Sequence, residues 1–210
     1  MEINPEGFDL REALRCLGWN GGPMPEELLT SVRQTAARLQ KLCHPRAVFR
    51  LFDTLPPDTG APVTGNAVLF AATLGLEFER FARTESLRDP AAALIADACG
   101  SALIEAVCDT VEDHARLLVG KPFSRRISPG YGAWSLEAQP ALLHLLDAER
   151  AIGITLTEGC MMLPQKSVTG LVHFSDMPFP DVPNSCAGCA ARTDCKYRKA
   201  GMLCGKTDPA

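Results

Sequence analysis

Four stretches of the chain repeat apolar residues at the three-to-four-residue spacing of an amphipathic helix. The first ends at Gly18, and the second begins at Pro25 with acidic residues in its first turn, as helix boundaries commonly do. Arg88, Asp89 and Pro90 interrupt the third stretch, so a break in the helix is expected there. The predicted helices span residues 9–18, 25–43, 76–118 with a break at 88–90, and 136–149.

Other stretches have the pattern of β-strands. Residues 45–54 alternate apolar and polar positions, which indicates a half-buried strand, whereas residues 67–73 are continuously apolar, which indicates a buried one. Residues 152–158 and 167–175 also alternate, and a loop joins them. The pattern therefore predicts an α+β domain with a mostly antiparallel, twisted sheet and helices packed to one side.

Composition fits one main domain with an appendage. The chain has 210 residues, 46% of them hydrophobic and 22% charged, with a formal net charge of −4. We expect a domain over residues 1–175, a Pro-rich linker over 176–185 and a tail over 186–210. The negative charge argues against nucleic acid as a partner, and the longest apolar run, 67–76, is too short to span a membrane. With no signal-peptide pattern at the N-terminus, the expected location is the cytoplasm.

The tail carries four closely spaced cysteines with the pattern C-x2-C-x5-C-x8-C, namely Cys186, Cys189, Cys195 and Cys204. Thiols stay reduced in the cytoplasm, so the cluster predicts a metal site rather than disulfides. Four thiolates suit either zinc or a [4Fe–4S] cluster. The long gaps favour iron–sulfur, with zinc as the alternative. The five scattered cysteines, Cys16, Cys43, Cys99, Cys108 and Cys160, lie in apolar patterns and are expected in the core.

The loop "RRISPGYGAW", residues 125–134, has the composition of a small-molecule binding loop. Its two arginines can each form a forked pair with a carboxylate, and its glycines allow close approach of the backbone to a ligand. Tyr131 and Trp134 offer aromatic rings for stacking. A surface turn with solvated arginines is the other interpretation.

This loop, followed by "ITLTEGCMMLPQKSVTGL", resembles the activation domain of cobalamin-dependent methionine synthase, in particular its short stand-alone relatives from anaerobes. The resemblance is specific over residues 125–172 and weaker upstream. It implies reductive reactivation of a cobalamin-dependent methyltransferase. An electron and S-adenosylmethionine would help convert cob(II)alamin to methylcobalamin. Ala133-Trp134-Ser135 stands where the family has Ala-Cys-Pro.

The resemblance also implies roles for individual residues. Arg126 would hold the methionine carboxylate of S-adenosylmethionine, and Glu105 would face its cationic end. Ser128 and Gly130 would offer backbone groups, and Tyr131 would lie beside the ligand. No sequence motif supplies a lower cobalt ligand, so cobalamin is expected on a partner chain.

These expectations lead to three hypotheses. The first is a reactivating component of a methyltransferase, with methionine synthase or another corrinoid protein as partner and a low-potential electron donor feeding the tail. The second is a docking or scaffold module for a corrinoid protein, with structural zinc and no chemistry. The third is an electron-transfer protein that does not bind S-adenosylmethionine.

Overall fold

The structure is a computed structural model, and it describes residues 1–2, 7–19, 23–62, 65–132, 134–179, 193, 194 and 199. The elements in chain order are α1 (Leu10–Cys16), α2 (Glu26–Leu42), β1 (Arg46–Phe52), β2 (Ala67–Thr73), α3 (Leu76–Arg88), α4 (Pro90–Val119), α5 (Gln139–Leu146), α6 (Ala148–Ile152), β3 (Thr155–Leu156), β4 (Met162–Leu163) and β5 (Ser167–His173). The predicted metal ligands Cys186, Cys189, Cys195 and Cys204 lie outside the described residues, as does most of the predicted linker. The division into domain, linker and tail therefore stays a prediction.

The main sheet has three antiparallel strands in the order β1-β2-β5. Every residue of β2 is buried, because this central strand is covered on both faces. Burial on both sides explains why the sequence of β2 is continuously apolar rather than alternating. The predicted α+β class with an antiparallel sheet is confirmed.

The four helices α1 to α4 form the larger layer, on one face of the sheet. Their apolar side chains pack around Phe70 and Ala72 of β2. The break predicted at residues 88–90 separates α3 from α4, where the Asp89 side chain accepts a hydrogen bond from the Ala91 N–H at 2.9 Å and so caps α4. α3 packs closely against α4 because Gly100 has no side chain. A Cβ at this position would lie 2.2 Å from the Phe78 ring.

A smaller helical layer covers the opposite face. α5, α6 and Trp134 pack against Leu69 and Ala71, the β2 residues that point away from α4. The prediction that helices pack to one side of the sheet thus holds for α1 to α4, and the short helices α5 and α6 cover the opposite face. They were predicted as one helix, but Asp147 adopts a left-handed conformation with φ 52° and ends α5 before α6 begins.

The alternating stretch 152–158 forms little strand. Only Thr155 and Leu156 pair, and their partners are Met162 and Leu163 in a separate two-stranded ribbon. The chain then enters β5, which pairs with β2 over its whole length. The prediction of a long strand here is wrong, because the alternation belongs to a local hairpin rather than to the main sheet.

Helix α4 is the one helix in the described ranges that is long and apolar enough to cross a membrane. More than half of its most apolar window is buried inside the protein. Its residues pack against α1, α2, α3 and the sheet, so its apolar character is that of a core helix.

Of the five scattered cysteines, Cys43, Cys99 and Cys108 are buried, as predicted. Burial raises the pKa of both Cys43 and Cys99 to about 12, so these thiols stay neutral and unreactive. Cys16 is exposed and Cys160 is half-buried, so the prediction of a core position is wrong for Cys16.

Candidate functional site

The chain after α4 returns along the free edge of β5 as an edge segment, defined here as residues 123–127. Isolated bridges pair Phe123 with Phe174 and Ile127 with Leu171. The backbone groups of Ile127 and Leu171 exchange two hydrogen bonds of 2.9 Å. Since Ile127 packs in the core with α5, the preceding residue Arg126 points to the opposite face, toward α4.

Arg126 lies in a cluster of three carboxylates from α4, which we call the Arg126 cluster: Arg126, Glu105, Asp109 and Glu112. Nη1 of Arg126 donates to Glu112 Oε1 at 2.6 Å, and Nη2 donates to Glu105 Oε2. Asp109 lies farther away, with Oδ1 at 3.9 Å from Nη2. The carboxylates share one helix face because they are spaced four and then three residues apart.

Gly170 of β5 provides the space in which Arg126 lies. A Cβ at residue 170 would lie 2.9 Å from Cδ of Arg126 and 2.4 Å from Cζ of Phe70. Phe70 of β2 is the direct cross-strand partner of Gly170, and its ring lies over the glycine. Any larger residue at 170 would displace the ring, the arginine or both.

The Arg126 cluster carries more negative than positive charge. Burial alone would lower the pKa of Arg126, but nearby Cys108, Glu112 and Glu105 together raise it. Burial raises the pKa of the Cys108 thiol far above neutral, so Cys108 is uncharged and the carboxylates supply the attraction. The cluster sets three acidic side chains against one guanidinium, an arrangement that favours a cationic ligand.

Glu112 is the most enclosed of the acidic partners. Its side chain is 14% exposed, against 38% for Glu105 and 43% for Asp109. Burial raises the pKa of Glu112 above its ordinary value, and the Arg126 guanidinium lowers it in part. Arg126 therefore favours the ionised form of Glu112, and burial opposes it.

The loop after the edge segment makes a tight turn. The Gly130 N–H donates to the Trp134 carbonyl at 2.8 Å, and the Tyr131 N–H donates to the Ser128 carbonyl at 3.3 Å. Gly130 has φ 86°, which favours glycine at that position. The N–H of Gly130 is thus used within the turn, and the Tyr131 side chain is largely exposed beside it.

Trp134 is 3% exposed, and its Nε1 donates to the Thr59 carbonyl at 2.9 Å. The prediction that this ring stacks on a ligand is wrong, because the ring packs in the core under α5. Trp134 instead anchors the turn to the layer beneath the sheet. Tyr131 keeps the exposure that stacking requires.

The predicted site residues fall into two groups. Glu105 and Arg126 are in direct contact, whereas Ser128, Gly130 and Tyr131 form the neighbouring turn. The interpretation of solvated arginines holds for exposed Arg125 but not for Arg126, whose side chain is 18% exposed. Sequence reasoning missed Asp109, Glu112 and Gly170. Acidic residues spaced along one face of an otherwise apolar helix were the available signal for the first two.

The described residues include no group of three or more histidine, cysteine, aspartate or glutamate side chains arranged to hold a metal ion. The predicted iron–sulfur or zinc ligands lie outside those residues. The side chains that this site offers are those of an arginine, three acidic residues and an exposed tyrosine.

The fold and the Arg126 cluster define an α+β domain that presents a cluster of charged side chains at the edge of its sheet. The family model of the activation domain of vitamin B12-dependent methionine synthase matches residues 26–177, well over half of the chain. The chain therefore belongs to this family of methionine synthase activation domains.

A solved structure described as the MetH reactivation domain bound to AdoHcy has the same fold. Its TM-score is 0.64 at 19% sequence identity, covering 82% of this chain and 77% of that chain. At this identity the likeness establishes the fold alone. A comparison with curated proteins found no match.

Proposed function

We propose that this protein assists the reductive reactivation of a cobalamin-dependent methyltransferase, most directly methionine synthase. Family membership gives the general role, that of an activation domain. The observation that carries the proposal for this chain is the Arg126 cluster. It combines one guanidinium and an excess of carboxylates beside an exposed tyrosine.

The residues of the cluster fit S-adenosylmethionine, which carries one carboxylate, one ammonium and one sulfonium group. Arg126 matches the carboxylate, since guanidinium–carboxylate pairs are strong and directional. Glu105 and Asp109 match the two cationic groups. Tyr131 is free to lie against the ligand, and the carbonyls of Ser128 and Gly130 can accept hydrogen bonds from it. The AdoHcy in the structurally similar reactivation domain supports this assignment.

The chemistry combines an electron with a methyl group. The methyl group of S-adenosylmethionine and one electron together convert cob(II)alamin on the partner to methylcobalamin, leaving S-adenosylhomocysteine. The role of this chain's residues is to bind and orient the methyl donor beside the partner. Arg126 and Glu105 fix the amino-acid part of the methyl donor. The glycine-containing turn allows the protein backbone to approach the donor closely.

The partner in this proposal is a corrinoid protein, and the location is the cytoplasm. The electron would enter through an iron–sulfur cluster on Cys186, Cys189, Cys195 and Cys204, supplied by a low-potential donor. Zinc at the same cysteines would make the tail structural instead. A visible spectrum and metal analysis after oxygen-free purification distinguish the two, because a thiolate-bound cluster is coloured and zinc is not.

One observation favours a second candidate, a corrinoid-docking or electron-transfer protein that does not bind S-adenosylmethionine. Arg126 already donates to Glu105 and Glu112 of its own chain, so a ligand carboxylate must compete with them. Calorimetric titration with S-adenosylmethionine separates the two candidates. Heat of binding that is lost in Arg126→Ala supports the first, and its absence in the wild type supports the second.

The direct test is anaerobic incubation of the protein with inactive cob(II)alamin methionine synthase, a chemical reductant and S-adenosylmethionine. The proposal predicts recovery of synthase activity together with formation of methylcobalamin. Omission of S-adenosylmethionine should abolish the recovery. A complete mixture that recovers no activity and forms no methylcobalamin would contradict the proposal.

A further inference from the structure

The two edges of the main sheet differ in how far the chain covers them. The edge segment, residues 123–127, lies along β5. The outer edge of β1 is covered at its start, where Glu2 pairs with Arg46. There Met1 also exchanges hydrogen bonds of 2.9 and 3.0 Å with the backbone of Ala47. Among the residues that the structure describes, none pairs with the rest of β1 on that side.

Phe49 and Leu51 leave their backbone groups open on this edge. Along a strand of an antiparallel sheet, the N–H and C=O groups of successive residues point to alternate sides. Ala47 directs its groups outward to Met1. Phe49 and Leu51, which follow at intervals of two residues, therefore direct theirs outward as well. Such a row of open groups is a template on which another extended chain can add as a strand.

The side chains on one face of this edge carry positive charge. Arg46 and Arg50 are both exposed. They share their face of β1 with Val48 and Phe52, which pack in the core with α5 and α6. Neither arginine forms an ion pair with another described residue. Their charge therefore favours a carboxylate on the strand that pairs with β1.

The other face of the same edge is apolar. The ring of Phe49 meets that of His114 on α4 edge-on, with 5.9 Å between the ring centroids. Leu51, the next residue on this face of β1, is 51% exposed. Leu118, one helical turn after His114, is 62% exposed. An added strand with apolar side chains on this face would take these leucines out of water.

We infer that the free edge of β1 is a docking site for an extended segment of a partner protein, in which a carboxylate stands between two apolar residues. The carboxylate lies opposite Arg50, and its apolar neighbours lie opposite Phe49 and Leu51. Glu2 opposite Arg46 is the same arrangement within this chain, an acidic residue set across from an arginine on this edge. The inference goes beyond the proposed function, because binding of the methyl donor does not use this surface.

A second copy of this chain fits the edge less well. Two copies of residues 48–52 that pair antiparallel with full overlap set Arg50 directly opposite Arg50. Like charges in that position destabilise a sheet. Charged side chains on an edge strand commonly prevent self-association in this way. An acidic segment replaces the repulsion with attraction, so the same arginine excludes a copy and selects the partner.

The test uses the full-length protein labelled with ¹⁵N and two blocked peptides. One peptide has a glutamate between two valines with a threonine at each end, and the other has lysine in place of the glutamate. Backbone amide signals are followed as each peptide is added to millimolar concentration. The glutamate peptide should shift the amides of Phe49 and Leu51 most, and the lysine peptide should bind about fivefold more weakly.

Three variants separate the contributions of charge and backbone. Arg50→Glu should reverse the preference between the two peptides. Leu51→Pro removes an outward N–H that takes no part in pairing with β2, so the strand tolerates it and peptide binding should be lost. Leu51→Val is the matched control, because it keeps this N–H, and it should bind the glutamate peptide within about twofold of the wild type.

Several results would overturn the inference. They are equal binding of the two peptides, shifts that avoid β1 or are absent, and binding that Leu51→Pro leaves intact. A dimer that forms with rising concentration in sedimentation, and that Leu51→Pro abolishes, would assign the edge to a second copy instead. None of these measurements involves S-adenosylmethionine, so failure of this inference and failure of the proposed function are distinguishable.

Discussion

Gly170→Ala is the substitution whose cost follows most directly from the geometry. The new Cβ would lie 2.4 Å from Cζ and 2.6 Å from Cε1 of Phe70, closer than carbon atoms tolerate. Phe70 is completely buried between the sheet and α4, so its ring cannot turn out to solvent. The strand or the ring must shift, and Arg126 must move as well, because its Cδ would be 2.9 Å away.

Overpacking of this kind lowers the free energy of unfolding by about 1–3 kcal/mol. A loss of about 2 kcal/mol in a chain of this size lowers Tm by roughly 4–8 °C. The measurement is urea unfolding followed by circular dichroism, with a thermal scan as a second readout. The displaced Arg126 should also weaken binding of S-adenosylmethionine.

Gly159→Ala is the matched control for this substitution. The nearest atom to its new Cβ is Thr157 Oγ1 at 4.0 Å, so the free energy of unfolding should stay the same or rise by up to about 1 kcal/mol. Phe70→Leu combined with Gly170→Ala should be less destabilising than the sum of the two single changes, because the smaller side chain makes room. If Gly170→Ala is as stable as Gly159→Ala, the reasoning about this close contact is wrong.

Three further predictions concern the same site and its support. Burial raises the folded-state pKa of Glu112 above its unfolded value, so the stability it contributes is present at low pH and lost as pH rises. Urea unfolding at several pH values should therefore show the wild type losing stability relative to Glu112→Gln as the pH rises above about 4, the ordinary pKa of glutamate; a relative gain would refute the sign. Arg126→Ala should lower the free energy of unfolding by about 2–4 kcal/mol, because it removes the guanidinium that pairs with the enclosed Glu112. Arg125→Ala, at an exposed position, should change the free energy of unfolding by less than about 0.5 kcal/mol, and equal effects of the two substitutions would contradict this reasoning. Trp134→Phe should lower the free energy of unfolding by about 1–2 kcal/mol, because the Thr59 carbonyl loses its donor, and should leave the affinity for S-adenosylmethionine unchanged. Weaker binding without a loss of stability would indicate that Trp134 contacts the ligand.

The main sheet and the long helices could be predicted from the sequence because their signals are local. β2 was expected at residues 67–73 and lies there, since a short, continuously apolar run next to a loop rich in Pro and Gly is typical of a strand covered on both faces. The break between α3 and α4 was visible in Asp89 and Pro90. The hairpin of β3 and β4 was not, because its alternation resembles that of a strand in a larger sheet.

The candidate site could be predicted only in part. Arg126 and Glu105 came from a family resemblance, and the structure brings them into contact. The contact of Glu112 with Arg126 depends on where the edge segment lies relative to α4, which no local pattern encodes. The burial of Trp134 depends likewise on the layer formed by α5 and α6.

The most direct test of the central claim follows a labelled methyl group from S-adenosylmethionine to the cobalamin of inactive methionine synthase, under anaerobic reducing conditions. The account predicts label on the cobalamin when wild-type protein or Arg125→Ala is present. Arg126→Ala should transfer little or none at the same ligand concentration. Label that appears equally without the protein, or equally with Arg126→Ala, would contradict the claim that this site delivers the methyl donor.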